Sequence, residues 1–253
     1  MFEKDNIIKF LYPKNSKELL EDTFPIPTKL NIPDWYKKLK TDPEARTVKS
    51  CIPFLDSLTA GYILKMPQDF YIKHNFIYKK IKKKDSFFRA GFHGIDQNLL
   101  LLRGINMNTE KVDVHPNAQL GKDCPFNEKN KDLPFYKILN PFKIKTPPGY
   151  SCLCVSPLNN TDDRFSIIPA IVDTDTYHAE INFPIIINGD KYPKLETTIK
   201  RGTPFAQIIP FKRESWKMEI DEYRGDQLTE SLKIHRLIWN NYKNIFWSKK
   251  KWN

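Results

Sequence analysis

Three segments decide the fold of this chain: TPPGYSCLCVSPLNN (146–160), AIVDTDTYHAEINFPIIING (170–189) and IKRGTPFAQIIPF (199–211). In these segments short apolar runs alternate with turns built on Pro, Gly and Asn, as they do in antiparallel sheets. Asp173 and Asp175 stand at the end of one of the predicted strands. The pattern therefore predicts a mainly β core with a pair of carboxylates at a strand end.

The composition is that of a folded, basic protein. The chain has 253 residues, 40% of them hydrophobic and 13% aromatic, which is enough to bury a sizeable core in one large or two small domains. Its 19 prolines and 9 glycines favour strands joined by well-defined turns. The net charge of +11 permits contact with nucleic acid or another polyanion. A solvated lysine surface accounts for the charge as well, and we favour that interpretation.

The cysteines and histidines show no metal-binding pattern. The chain has 4 cysteines and 5 histidines without a CxxC pair, so we expect no metal site, and no cofactor is indicated. The opening MFEKDNIIKF is too charged for a signal peptide, and no apolar run reaches the length of a membrane span. We therefore expect a reduced protein of the cytoplasm, or of a virion if the chain is viral, that makes no contact with membranes.

The chain divides into three predicted parts. Residues 1–50, rich in proline and aromatic residues, form an N-terminal extension, and residues 51–219 form the β-rich core domain. Residues 220–253 hold a C-terminal helix and a basic tail. Apolar residues recur at helical spacing from Gln227 to about Trp247, which predicts one packing face along that helix.

Several local elements follow from turn and cap residues. Short helices are expected from Ser16 to Glu21 and from Asp34 to Lys40. Aromatic and branched residues mixed with lysine predict strands between Phe70 and Arg103 and again from Phe135 to Lys145. The polar segment from Asn117 to Lys131 is expected to be a long loop.

The order of the parts in the three opening segments resembles that of the dUTPase and dCTP deaminase superfamily. Those proteins have a Pro-Gly turn, a phosphate-binding segment, an Asp-Tyr hairpin and a closing strand with Ala-Gln. The counterparts here are Pro148-Gly149-Tyr150, Ser156 to Asn160, Val172 to Tyr177 and Gly202 to Ile208. The resemblance implies a β-clip-like core and a homo-oligomer, such as a trimer, with nucleotide sites between subunits.

The resemblance also implies site residues. Asp173 matches the general base that activates the water attacking a phosphate. Tyr177 matches the tyrosine that stacks on the deoxyribose, and Gln207 matches the glutamine of the closing strand. The ligand-binding candidates are Asn159, Asn160, Asp175, Tyr177 and Gln207. The simpler interpretation is that the two aspartates suit a turn and that Gln207 packs in a strand.

Two parts of the superfamily's chemistry have no counterpart here. Ile63 stands where the first motif, matched by Thr59-Ala60-Gly61-Tyr62, carries a metal-holding acid, and isoleucine cannot ligate a metal. The segment from Ser156 to Asn160 lacks the arginine that neutralises phosphate charge. We therefore expect a non-catalytic binding or assembly protein on a dUTPase-like scaffold. The alternative is a nucleotide-processing enzyme, similar to a dUTP diphosphatase, with Asp173 as the general base.

A lysine run provides a weaker alternative, nucleic-acid binding. Phe76 and Tyr78 lie beside the run, and aromatic residues interleaved with lysines can stack bases and neutralise phosphates. The lysines are Lys79, Lys80, Lys82, Lys83 and Lys84. We favour a solvated lysine edge that blocks sheet pairing.

A second resemblance covers most of the chain from Ile32 onward. The pattern GYSCL…PLN…IVDTDTY…NFP…GTPFAQIIPFKRE…W is similar to a family of uncharacterised proteins from marine phages and environmental bacteria. It implies a phage component with a phage or host protein as partner, and it carries no assigned activity.

Overall fold

The computed structural model describes residues 6–41, 47–75, 88–92, 114–115, 120–121, 123–130, 135–222, 225 and 242–253. The strands are β1 Lys9–Leu11, β2 Ile26–Pro27, β3 Tyr62–Lys65, β4 Phe70–Asn75, β5 Phe88–Phe92, β6 Val114–His115, β7 Phe135–Leu139, β8 Lys143–Lys145, β9 Tyr150–Val155, β10 Phe165–Ile167, β11 Ala170–Val172, β12 Asn182–Ile187, β13 Lys194–Ile199 and β14 Pro204–Lys212. The helices are α1 Lys17–Leu20, α2 Asp34–Lys38, α3 Ile52–Thr59 and α4 Pro125–Lys129. Shorter turns are the 3₁₀ segments Glu21–Thr23, Thr28–Asn31 and Val48–Ser50 and the π-helical turn Tyr242–Phe246.

The opening segments form the centre of the fold. A five-stranded sheet has the order β11-β9-β14-β3-β2. Its long strand β14 pairs with β3 between Pro204 and Ile208 and with β9 between Gln207 and Lys212. Three further sheets have the orders β10-β12-β7-β6, β13-β4-β5 and β1-β8. Every strand pair in the described part is antiparallel. The prediction of a mainly β protein is confirmed.

The strands supply most of the core, and in β7, β12 and β14 consecutive residues are buried. On β9, Cys152 and Cys154 face inward and are buried, as their spacing predicts. Burial raises the pKa of the Cys152 thiol to about 11 and that of Cys154 to about 12, so both behave as small neutral apolar groups. From β12 and β14, Phe183 and Phe205 meet edge to face with ring centroids 5.3 Å apart.

The first fifty residues add strands as well as short helices. β1 pairs with β8, and β2 extends the five-stranded sheet beyond β3. The predicted helices are found as α1, continued by a 3₁₀ turn, and as α2. Leu20, at the end of α1, is fully buried in a small cluster with Phe142 and Phe24. The N-terminal extension is thus held to the β sheets by both backbone pairing and apolar contact.

The structure departs from the sequence prediction at two helices. The long loop expected from Asn117 to Lys131 is wrong near its end, where α4 forms with Pro125 in its first turn. Proline suits that position because the N–H it lacks has no partner there in any case. Asn130, just after α4, is buried and accepts a hydrogen bond from the backbone of Ile187 at 2.8 Å, which ties this segment to β12. The helix α3 was not predicted.

Only the end of the predicted C-terminal helix lies within the described residues. Residues 242–246 form a π-helical turn, and the tail after it has neither helix nor strand. Trp247 donates its indole N–H to Asp56 at 3.0 Å, and Lys250 donates to the same carboxylate at 2.6 Å. These contacts fasten the tail to α3. Among the described residues, no helix is both long and apolar enough to cross a bilayer.

Gly61 permits the close approach of β3 to β14. Its φ is +66°, and a Cβ placed on it would lie 2.0 Å from the backbone oxygen of Ile208. Gly202 has a similar φ of +82°, but a Cβ there would meet nothing within 4 Å. The two glycines thus share a backbone conformation and differ in the space around them.

We expect Gly61→Ala to destabilise the fold far more than Gly202→Ala. The left-handed backbone alone costs an alanine about 1–2 kcal/mol, which is the loss expected for Gly202→Ala. Gly61→Ala adds a backbone collision at the central sheet, so we expect a total loss of at least about 4 kcal/mol or failure to fold. Urea-induced unfolding of the two variants measures the difference, and equal losses would contradict the tight packing at Gly61.

Candidate functional site

Asp173 and Asp175 lie in a tight turn that follows β11. The backbone oxygen of Asp173 accepts hydrogen bonds from the N–H groups of Thr176 at 3.1 Å and Tyr177 at 2.8 Å. This closes the turn and separates the two carboxylates, which would otherwise share one face of a strand. Asp175 points inward with 7% of its side chain exposed, whereas the Asp173 side chain is 61% exposed.

Arg213, the residue after β14, binds both carboxylates. Its guanidinium makes a two-pronged contact with Asp175, in which Nη1 donates to Oδ1 at 2.9 Å and Nη2 donates to Oδ2. The same Nη1 lies 3.2 Å from Oδ1 of Asp173 and donates to Oγ of Ser151 at 3.0 Å. Sequence reasoning missed this arginine because it lies outside every motif of the superfamily pattern.

The Pro-Gly turn completes the cluster. Gly149 donates its backbone N–H to Oδ2 of Asp175 at 2.8 Å and accepts a hydrogen bond from the backbone N–H of Arg213, also at 2.8 Å. We call Gly149, Ser151, Asp173, Asp175 and Arg213 the carboxylate cluster. It joins the turn before β9, the turn after β11 and the end of β14.

The charges in the cluster satisfy one another. The Arg213 guanidinium, helped by the Gly149 N–H, lowers the pKa of Asp175 to about 2. In return, the Asp175 carboxylate raises the pKa of Arg213 above its usual value. Asp173 is held differently, because Ser151 donates its hydroxyl to Oδ1 at 2.6 Å while most of the carboxylate faces solvent. The two acids therefore stand in unlike environments only two residues apart.

A layer of buried hydroxyls supports the cluster from below. Thr146 and Thr174 are buried, and their Oγ1 atoms lie 2.7 Å apart in a hydrogen bond. Thr174 also donates to the sulfur of Cys152 at 3.3 Å, and the N–H of Thr146 donates to the carbonyl of Thr174 at 3.3 Å. The turn before β9 and the turn after β11 are thereby bonded to each other.

Gln207 is a buried structural residue. Its Oε1 accepts the backbone N–H of Leu158 at 2.9 Å, and its Nε2 donates to the carbonyls of Ala60 at 2.7 Å and Ser57 at 3.1 Å. Both amide protons and the amide oxygen are therefore engaged within the chain. Gln207 ties the segment after β9 to the end of α3 and has no amide proton left for a ligand.

The two asparagines of the expected phosphate segment also make internal contacts. Asn159 has a φ of +58° and donates its side-chain amide to Oγ of Ser57 at 2.7 Å. The side-chain oxygen of Asn160 accepts the backbone N–H of Asp162 at 3.3 Å. These bonds shape the loop after β9, and the first of them uses an amide group that the sequence reasoning assigned to phosphate.

The predicted site residues fall into two groups within one chain. Asp173 and Asp175 lie at the start of β9 beside Ser151, while Gln207 pairs with Val155 at its far end. Four residues of strand separate these positions, roughly 13 Å. Tyr177 belongs to the first group and is 46% exposed. Asn159 and Asn160 belong to the second.

Two further sequence predictions are that the chain has no metal site and that a lysine run could bind nucleic acid. Ile63 is buried in β3 opposite Gln207, so its side chain is part of the core. Within the described ranges, no group of three or more His, Cys, Asp or Glu residues is arranged to hold a metal ion. The run Lys79, Lys80, Lys82, Lys83 and Lys84 lies outside the described residues, so its role stays a prediction.

No protein-family model and no curated protein matches this chain. The inference of function therefore depends on the residues themselves and on their geometry.

We expect Gln207→Leu to destabilise the protein by about 3 kcal/mol. The change keeps an apolar stem but leaves the Leu158 N–H and the carbonyls of Ser57 and Ala60 without their partner, at about 1 kcal/mol each. Thr176→Val is the control, since it removes one hydrogen bond at an exposed position. Chemical unfolding gives both values, and a loss for Gln207→Leu no larger than that of the control would show that the clamp is unimportant.

We expect the effect of Asp175→Asn on stability to depend on pH. The folded pKa of Asp175 is about 2, below its unfolded value of about 3.9. The stabilisation by its charge is therefore complete above about pH 4 and is lost as the pH falls towards 2. The difference in Tm between wild type and Asp175→Asn should be constant from neutral pH to about pH 5 and shrink below pH 4.

Asp123→Asn, at an exposed position before α4, is the matched control for this measurement. A difference between wild type and Asp175→Asn that persists unchanged at the lowest pH would mean that the variant acts through packing and not through charge.

Proposed function

We propose that this chain is a non-catalytic binding or assembly protein on a dUTPase-like scaffold, in which the carboxylate cluster holds the structure together. The observation that carries the proposal is the engagement of Asp175 and Asp173 by Arg213. The resemblance to proteins of marine phages supports a role as a phage component, with a phage or host protein as partner.

A general base for phosphate hydrolysis must take a proton from water near neutral pH. Asp175, with a pKa of about 2, is a weak base that is also enclosed by its partners. Asp173 is more exposed, but its Oδ1 already accepts the Ser151 hydroxyl and lies beside the Arg213 cation. A carboxylate in this position is well suited to fixing a turn.

Stabilisation of a phosphate also needs cations or free N–H groups. In the segment after β9, the N–H of Leu158 is bonded to Gln207 and the amide of Asn159 to Ser57. The next residues include Asp162 and Asp163, which repel a phosphate group. Arg164 is the nearest arginine in sequence, and its guanidinium is bound to Asp162.

The alternative is a nucleotide-processing enzyme, and one observation favours it. The predicted site residues lie at opposite ends of β9, so a complete nucleotide site would need residues from a second copy of the chain. The exposed carboxylate of Asp173 and the exposed ring of Tyr177 would then face a partner copy. In this case Asp173 would serve as the base and the partner would supply the phosphate contacts.

The experiment that separates these functions is an assay of pyrophosphate release from a panel of deoxynucleoside triphosphates with magnesium. We expect negligible turnover by the wild-type chain and by Asp173→Asn. Asp123→Asn is again the matched control, and a dUTPase serves as the positive control for the assay. Robust turnover that survives in Asp123→Asn and disappears in Asp173→Asn would overturn the proposal in favour of the enzyme.

A further inference from the structure

The segment that follows Arg213 belongs to none of the described sheets. We call residues 214–222 the arm. Every residue of the arm is exposed, and the relative exposures of Trp216, Met218 and Ile220 are 88%, 83% and 90%. Single exposed apolar residues are ordinary on protein surfaces, but three large ones in one short segment are not.

The arm has the sequence pattern of a strand. Its apolar residues recur with a period of two, and Lys217, Glu219 and Asp221 alternate with them, so an extended backbone gives the arm one apolar and one charged face. Within the described part of the chain, no backbone hydrogen bond joins the arm to another segment. Its side-chain hydrogen bonds within the described residues are local, such as that from Lys217 to Glu219 at 2.9 Å. The arm therefore has the sequence pattern of a strand and pairs with no other segment of the described chain.

The carboxylate cluster fixes the direction in which the arm leaves the domain. Arg213 is bonded through its backbone to Gly149 and through its side chain to Asp175. The residue before the arm is thus held at both main chain and side chain. An arm with a fixed root and nine exposed residues reaches roughly 30 Å from the domain.

The charge of the arm points to its partner. The chain as a whole carries a net charge of +11, whereas the arm has four acidic residues and a single lysine. An acidic segment on a basic protein is complementary to the surface of another copy of the same protein. A second copy of this chain therefore meets the electrostatic requirement.

The edge of β1 is the surface that fits the arm. β1 pairs with β8 on one side, and no strand of the described part pairs with its other side. Ile8 and Phe10 pack against the core from one face of β1, and Lys9 is exposed on the other. An added strand therefore needs one apolar and one acidic face, which is the pattern of the arm.

Two further features favour this edge. Lys9 lies directly opposite Lys145 on β8, and this like-charge pair is unfavourable until acidic side chains come beside it. Ile7 and Ile8, just before β1, line a cavity of about 530 Å³ together with Trp252. The cavity has both apolar and polar walls and is large enough for an aromatic side chain such as Trp216.

We propose that the arm of one copy adds as a strand to the free edge of β1 in a second copy. Trp216, Met218 and Ile220 continue the apolar face formed by Ile8 and Phe10. Glu219 and Asp221 lie on the face of Lys9. This is strand addition at an open sheet edge. The inference rests on the proposed assembly function and names a second copy of the chain as the partner.

Sedimentation equilibrium of the full chain tests the proposal. The wild type is expected to self-associate, and Trp216→Ser is expected to raise the dissociation constant by about 30-fold, as for an aromatic anchor of an interface. Trp216 is exposed in the single chain, so its replacement leaves the fold of the monomer intact. Circular dichroism of the variant verifies that point.

A charge swap tests the edge itself. The arm variant Glu219→Lys/Asp221→Lys and the edge variant Lys9→Glu/Lys145→Glu should each raise the dissociation constant by about 10-fold. Their combination should restore most of the affinity, because the charges are again complementary. Lys194→Glu, at an exposed position on β13, is the matched control and should have no effect.

Three results would overturn the inference. They are a wild type that remains monomeric at every concentration at which it is soluble, self-association that is indifferent to Trp216→Ser, and charge variants that do not compensate each other. The assay of pyrophosphate release decides the question of catalysis separately. If the chain is monomeric and shows no turnover, the proposed contact of the arm is wrong, whereas the proposal of a non-catalytic function still stands.

Discussion

The ion pair between Arg213 and Asp175 holds together three separate parts of the central sheet. Strand pairing holds the central sheet together along its length, but the ends of strands are where sheets open first. Here the turn before β9, the turn after β11 and the end of β14 meet. The Asp175 carboxylate accepts hydrogen bonds from the Arg213 guanidinium and from the Gly149 N–H, and the backbone N–H of Arg213 donates to Gly149. A two-pronged arginine contact suits this task because it fixes orientation as well as distance.

The same pair explains why two neighbouring acids have different environments. The side chain of Asp175 is almost fully buried. A buried carboxylate is stable only when hydrogen bonds and an opposite charge compensate for its lost hydration. Arg213 also contacts Asp173, whose side chain is mostly exposed to solvent. In the folded chain, Arg213 contacts both members of an acid pair that in sequence resembles the centre of a hydrolase. Resemblance of order is therefore compatible with a changed role for the residues.

Sequence reasoning succeeded where the signal is local and failed where it is not. The alternation of β9 places Cys152 and Cys154 in the core because period two is a property of any strand. Arg213 was missed since its partners lie 38 and more residues away, and only the antiparallel register of β9 and β14 brings them together. Gln207 was recognised as special, but its partners in α3 belong to a helix that the sequence pattern did not reveal.

The buried thiols of β9 have a consequence for chemical labelling. Cys51 is exposed, whereas Cys152 and Cys154 are buried with pKa values raised to about 11 and 12. Only a thiolate attacks an alkylating reagent, so the two inner sulfurs react only when the strand separates from its neighbours. They lie between β11 and β14, beneath the hydroxyls that support the carboxylate cluster. Their alkylation rate in native buffer therefore measures how often the central sheet opens.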